Sequence, residues 1–234
     1  MATLIIALDR PDATQALDLV ERLGDDADFY KVGAELFTAA GPAIVDQLRA
    51  RGKRVFLDLK YHDIPNTVAA AVRAAAALDV DLVTVHAAGG EAMLRAAAAA
   101  SGPHGPDVVA VTLLTSMSAS DVEQIWGRPV HALRGEVDRL AALALECGLR
   151  GVVASPLEVE GLKRRHGAGF LVVTPGVRPA GSVTDDQSRT ATAADAARAG
   201  ADYLVVGRPV HAAADPAAAL RALRSELALS SGVA

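Results

Sequence analysis

A short apolar run followed by an alanine-rich helical pattern recurs eight times along the 234 residues, and that rhythm constrains the fold more than any other feature. The β-rich runs cover residues 3–9, 28–33, 54–60, 82–87, 107–114, 151–156, 170–176 and 203–209. Helical patterns occupy the intervals near 12–23, 35–50, 66–78, 91–100, 130–146, 157–165 and 193–199, with a last helix near 216–229. Strands that are mostly apolar with little alternation are buried on both faces, as parallel strands covered by helices are. Eight such units, with no linker, low-complexity tail or charge block, predict one closed (β/α)8 TIM barrel as a single domain over residues 1–234. The competing arrangement is an open doubly wound sheet. It is disfavoured because the first strand runs into Asp9-Arg10-Pro11-Asp12, with no Gly-x-Gly-x-x-Gly turn to hold a dinucleotide.

Composition narrows the partners. With 51% apolar but only 3% aromatic residues, the interior is built from Ala, Val, Leu and Ile, and aromatic stacking does not dominate any site. A net charge of −5 argues against a nucleic-acid surface, which relies on clustered Lys and Arg. Any anionic ligand must therefore meet a local basic pocket. Cys147 is the single cysteine, so no intramolecular disulfide forms and Cys-based zinc spacing is absent; no metal site is expected. The first residues lack a basic leader region, and no segment approaches the ~20 apolar residues that span a bilayer. The expectation is a cytoplasmic protein without membrane contact.

Chemistry concentrates in Asp58-Leu59-Lys60-Tyr61-His62-Asp63-Ile64-Pro65-Asn66-Thr67, where two acids and a lysine stand at the exit of an apolar strand. On a regular strand Asp58 and Lys60 leave the same face, which puts an anion beside a cation. Pro65 suits the first turn of the following helix. An isolated Asp-x-Lys is often only an ion pair fixing a strand end. Desolvating several charges, however, costs several kcal/mol each, which pairing alone recovers poorly.

A barrel gathers the C-terminal ends of its strands on one face. That face would hold Asp9, Lys31, Asp58, Lys60, His86, Thr115 and Ser116, Gly176 with Arg178, and Gly207 with Arg208. The loops after strands seven and eight are a common phosphate site in such barrels, and glycines with arginines there suit a phosphate. Residues 178–189 form a long connection that reads as a lid, with Gln187 able both to donate and to accept. His86 reads as a core histidine, and Cys147 and Trp126 as packing residues. The run Lys163-Arg164-Arg165-His166 reads as a solvent-facing helix end.

Together these residues resemble the orotidine 5′-phosphate decarboxylase family over essentially the whole chain. The resemblance is carried by Ala7-Leu8-Asp9, Lys31-Val32-Gly33, the 58–67 run, Leu114-Thr115-Ser116, Thr174-Pro175-Gly176-Val177-Arg178, Asp185-Asp186-Gln187-Ser188-Arg189 and Val206-Gly207-Arg208-Pro209. It implies cofactor-independent conversion of orotidine 5′-monophosphate (OMP) to UMP and CO2 in pyrimidine biosynthesis. Lys60 would protonate C6 of the pyrimidine, with Asp58 beside the departing carboxylate and Lys31 completing the charge array. Asp9 and Lys31 would hold ribose hydroxyls, and Thr115 the pyrimidine edge. Arg178, Gln187, Gly207 and Arg208 would hold the phosphate. The resemblance further implies a homodimer in which Asp63 and Thr67 reach into the partner's site. Related phosphosugar lyases or aldolases share the Asp-x-Lys-x-x-Asp core, usually with a metal, but are not expected to continue Ile-Pro-Asn-Thr. A non-catalytic phosphate-binding barrel would need the arginines and not Lys60.

Overall fold

Alternation along the strands divides their side chains between two apolar cores. Ile5, Phe29, Phe56, Leu82, Val109, Val173 and Val205 fill the inside of a barrel. Their neighbours Leu4, Tyr30, Val55, Val83, Val108, Val172 and Leu204 face a layer of helices. In the computed structural model, which describes residues 2–177 and 191–231, the strands are β1 (Thr3–Ala7), β2 (Phe29–Gly33), β3 (Arg54–Tyr61), β4 (Leu82–His86), β5 (Asp107–Val111), β6 (Gly151–Val153), β7 (Leu171–Thr174) and β8 (Tyr203–Val206). They pair in parallel and in sequence order, and β8 returns to β1 from Thr3↔Tyr203 to Ile6↔Val206. This is the closed TIM barrel the eight-fold rhythm predicts. No helix of the described residues is long and apolar enough to cross a membrane.

The helices are α1 (Ala13–Leu23), α2 (Ala34–Ala40), α3 (Ala43–Ala50), α4 (Pro65–Ala77), α5 (Gly90–Ser101), α6 (Ala119–Trp126), α7 (Leu133–Glu146), α8 (Val159–His166), α9 (Ala193–Arg198), α10 (Arg208–His211) and α11 (Pro216–Ser231). Local chemistry accounts for their limits. Asp12 caps α1 by accepting from the Gln15 N–H at 2.8 Å, and Pro65 begins α4. The single helix expected over 35–50 is two: Gly41 turns the chain at a φ of 64°, and Pro42 has no N–H to carry α2 onward. Helix α6, not anticipated, is started by a reciprocal Ser118–Asp121 capping box. The expected strands overrun the observed ones at several C-terminal ends, where the chain leaves the ladder for the loops. Pro175 and Gly176, the latter at a φ of 81°, end β7 in this way.

Charged residues close the opposite, N-terminal end of the barrel. Asp81 accepts from the Val55 N–H at 2.8 Å and from Arg54 at 3.0 Å, and the Arg54 guanidinium lies over the Phe29 ring at 4.1 Å from its centroid. Lys163 departs from its expected place in solvent. Its side chain is 13% exposed and donates to Asp202 at 2.6 Å and to the carbonyls of Phe170 and Ala168 at 2.8 and 3.1 Å. Asp202 in turn accepts from the Val172 N–H at 2.7 Å, so one lysine ties α8 to the starts of β7 and β8. Lys163→Met should lower unfolding free energy by about 2 kcal/mol in urea titrations, because it strands three acceptors, while turnover per folded molecule stays unchanged.

Candidate active site

The two-residue period that puts Phe29 and Phe56 inside the barrel also turns Lys31 and Asp58 inward one step later, toward the C-terminal mouth. There they meet Asp9, which follows β1, and Lys60 near the end of β3. Lys31 Nζ lies 2.8 Å from Asp9 Oδ1 and 3.8 Å from Asp58 Oδ2. Lys60 Nζ lies 2.8 Å from the same Asp58 oxygen. Charge thus alternates in the order Asp9, Lys31, Asp58, Lys60. The Lys31 and Asp58 side chains are each only 12% exposed, so their attraction is little screened by water.

Lys60 reaches Asp58 by a route that regular strand geometry does not supply. Its φ is 51°, in the left-handed region that costs a non-glycine residue on the order of 1–3 kcal/mol. The register slips at the same place: Leu57 pairs with Val83, but the next pair is Tyr61 with Val85. Residues 58–60 therefore bulge opposite Thr84 alone. The Lys60 N–H donates to Thr84 Oγ1 at 2.8 Å, and the Thr84 hydroxyl donates to Asp58 Oδ1 at 3.0 Å.

The array borders a cleft of about 260 Å³. Asp9, Lys31, Asp58, Lys60, Thr115, Gly207 and Arg208 all line it, so these seven predicted residues converge on one space. Val111, Leu113, Val153 and Val205 line it as well, which places apolar surface close to the charges. Gly33 protects the arrangement: a Cβ there would stand 3.0 Å from Lys31 Nζ and 3.6 Å from Asp9 Oδ1. Gly207 precedes α10, so the unanticipated short helix sets Arg208 in its first turn beside the cleft.

Other predicted residues are not brought into the cleft. Asp63 is exposed and accepts from the neighbouring Ile64 N–H at 2.6 Å, and Thr67, in the first turn of α4, is exposed too. Neither lines the cavity of its own chain. Arg178, Gln187 and the lid expected around them lie outside the described residues. Two residues beside the array carried no functional weight in the sequence: Thr84, and His86 at the end of β4. Thr84 is fully buried, and its place two residues after inward-facing Leu82 is the signal that marks it. His86 stacks on His62 with ring centroids 5.4 Å apart. Burial, His62 and Lys60 together push its imidazole pKa below the usual range, which favours the neutral form.

The Gly33 contact is testable. Gly33→Ala has no backbone conflict at a φ of −93°, but it should displace the Lys31 ammonium and cut turnover about tenfold with little change in melting temperature. An unaltered rate in steady-state assays would show that Lys31 tolerates the shift.

Comparison with known proteins gives one consistent result. The model of the orotidine 5′-phosphate decarboxylase / HUMPS family matches residues 2–223. The orotidine 5′-phosphate decarboxylase of Halorhodospira halophila is 55% identical over 229 residues, covering 96% of this chain and 95% of that protein. That of Nitrosospira multiformis is 51% identical over 228 residues, covering 96% and 93% respectively. The crystal structure of the Lactobacillus acidophilus orotidine 5′-phosphate decarboxylase superposes with a TM-score of 0.86 at 38% identity, over 97% of this chain and 99% of that one.

Proposed function

The chain belongs to the orotidine 5′-phosphate decarboxylase / HUMPS family, and from that premise we propose that it decarboxylates OMP to UMP and CO2, the whole of residues 1–234 acting as one catalytic domain. The observation that carries this reading is the alternating Asp9–Lys31–Asp58–Lys60 array beside an apolar wall in one cleft. In the reaction the bond from C6 to the carboxylate breaks, its electron pair remains on C6, and CO2 leaves. Lys60 Nζ then gives a proton to C6 and regains one from solvent. An ammonium about 4 Å from the developing anion, at an effective dielectric near 20, contributes about 4 kcal/mol to its stability. Asp58 cannot stabilise that anion directly. It holds the Lys60 amine in place at 2.8 Å and repels the substrate carboxylate that must leave.

The rest of the substrate is held away from the breaking bond. Asp9 and Lys31 take the ribose hydroxyls, Thr115 the pyrimidine edge, and Gly207 with Arg208 the phosphate, to which Arg178 and Gln187 add further contacts. Binding energy from the phosphate is thereby spent on assembling the charged end. No cofactor takes part in this scheme.

The reading extends to a cytoplasmic homodimer with shared sites. Asp63 and Thr67 flank Ile64, which is 66% exposed, and an apolar side chain between two outward polar ones suits a surface that a second copy covers. In the dimer Asp63 and Thr67 act in the partner's cleft. The buried, unbridged Cys147 fits a reducing compartment.

A spectrophotometric assay for loss of OMP, run with and without chelator, tests the activity; chelator-insensitive turnover is expected. Lys60→Ala should abolish turnover and leave UMP binding measurable by calorimetry, whereas a rate near wild type would remove Lys60 from the proton transfer. Mixing inactive Asp63→Ala and Lys60→Ala proteins should restore part of the activity as hybrid dimers form. No recovery despite proven subunit exchange would rule out a shared site.

A further inference from the structure

Thr84 has no part in the steps above, yet its hydroxyl touches both members of the central ion pair. It accepts from the Lys60 N–H at 2.8 Å and donates to Asp58 Oδ1 at 3.0 Å. We propose that Thr84 is a positioning residue, whose hydroxyl holds the Asp58 carboxylate and the left-handed backbone of Lys60 in the one arrangement that presents Asp58 Oδ2 to both lysines. The inference rests on the decarboxylation reading and deepens it.

Hydrogen-bond polarity leaves little choice in this arrangement. A backbone N–H only donates, so Thr84 Oγ1 must accept from Lys60, and its own proton is directed to the carboxylate. One oxygen of Asp58 is thus satisfied by a neutral donor. The other is left to Lys60 at 2.8 Å and Lys31 at 3.8 Å. Thr84 has no solvent exposure, so bulk water does not replace the hydroxyl when it is removed. Without it the Lys60 N–H loses its partner in a conformation that already carries strain. Asp58 Oδ1 becomes free to turn toward a cation, and the ammonium that should meet C6 is drawn aside. The ribose and phosphate ends depend on other strands and stay in place.

The experiment measures steady-state kinetics and UMP affinity for Thr84→Val, Thr84→Ala and Thr84→Ser beside the wild type. Val and Ala should lose about 10- to 100-fold in kcat. KM for OMP and Kd for UMP should stay within about threefold of wild type, the pattern of an interaction that acts in the transition state. Ser, which keeps the hydroxyl and loses only the methyl group, should stay within about threefold of wild-type kcat. Ser and Ala lack the same methyl, so their comparison isolates the hydroxyl even where the Val protein fails to fold. Equal kcat for Ser and Ala, or a loss confined to KM, would overturn the role of Thr84. A wild type inert toward OMP would instead sink the decarboxylase reading, whereas an active wild type with unimpaired Val and Ala variants would sink only the positioning claim.

Discussion

One carboxylate oxygen, Asp58 Oδ2, is shared by two ammonium groups, and much of the molecule is arranged so that it can be. Two cations close to one anion inside a half-closed cleft are stable only if each is held by something else as well. Lys31 is held by Asp9, and room for its amine exists because position 33 has no side chain. Lys60 is held by a backbone bend that β4 completes from across the ladder. Four consecutive strands of the barrel, or the loops that leave them, therefore contribute to a charge pattern that none could sustain alone.

The barrel assigns its two ends to different tasks. At the N-terminal end, Asp81, Arg54, Asp202 and Lys163 pair with one another and with backbone groups, and their charges are consumed by neighbours. At the C-terminal end the charges face a cavity and retain capacity for a ligand. The same residue types thus pair off with neighbours at one rim and line open space at the other. The difference lies in whether the strand start or the strand exit presents them.

Periodicity made most of this legible from the chain alone. Once Phe29 and Phe56 are assigned to the barrel interior, Lys31 and Asp58 follow by alternation, and Asp9 follows from β1 in the same way. The partnership of Lys60 with Asp58 was readable, but its backbone was not. The bend depends on a hydroxyl 24 residues further on, and no local pattern announces such a contact. Lys163 departs from its local pattern for a related reason: a basic helix end is usually solvated, and the acceptors that bury it come from the following loop and from Asp202, just before β8. The break at Gly41-Pro42 was written in the residues, yet the helical apolar pattern continues across it and hid it. Asp63 and Thr67 stand away from the cleft of their own chain, so a single chain does not show the use that the resemblance implies for them.

The pairing of β8 with β1 also governs when the barrel can exist during synthesis. Strand β1, already paired with β2, finds its second neighbour only when Thr3 to Ile6 meet Tyr203 to Val206, about two hundred residues later. A ribosome has made nearly the whole chain before that seam can close, and loop-closure entropy makes so distant a contact slow to form. Until then β1 carries an unpaired edge of backbone donors and acceptors, the kind of surface that recruits strands from other molecules. The join that gives the finished ring no edge thus waits on the last strand to be made, and until then the nascent protein has an edge open to misassembly.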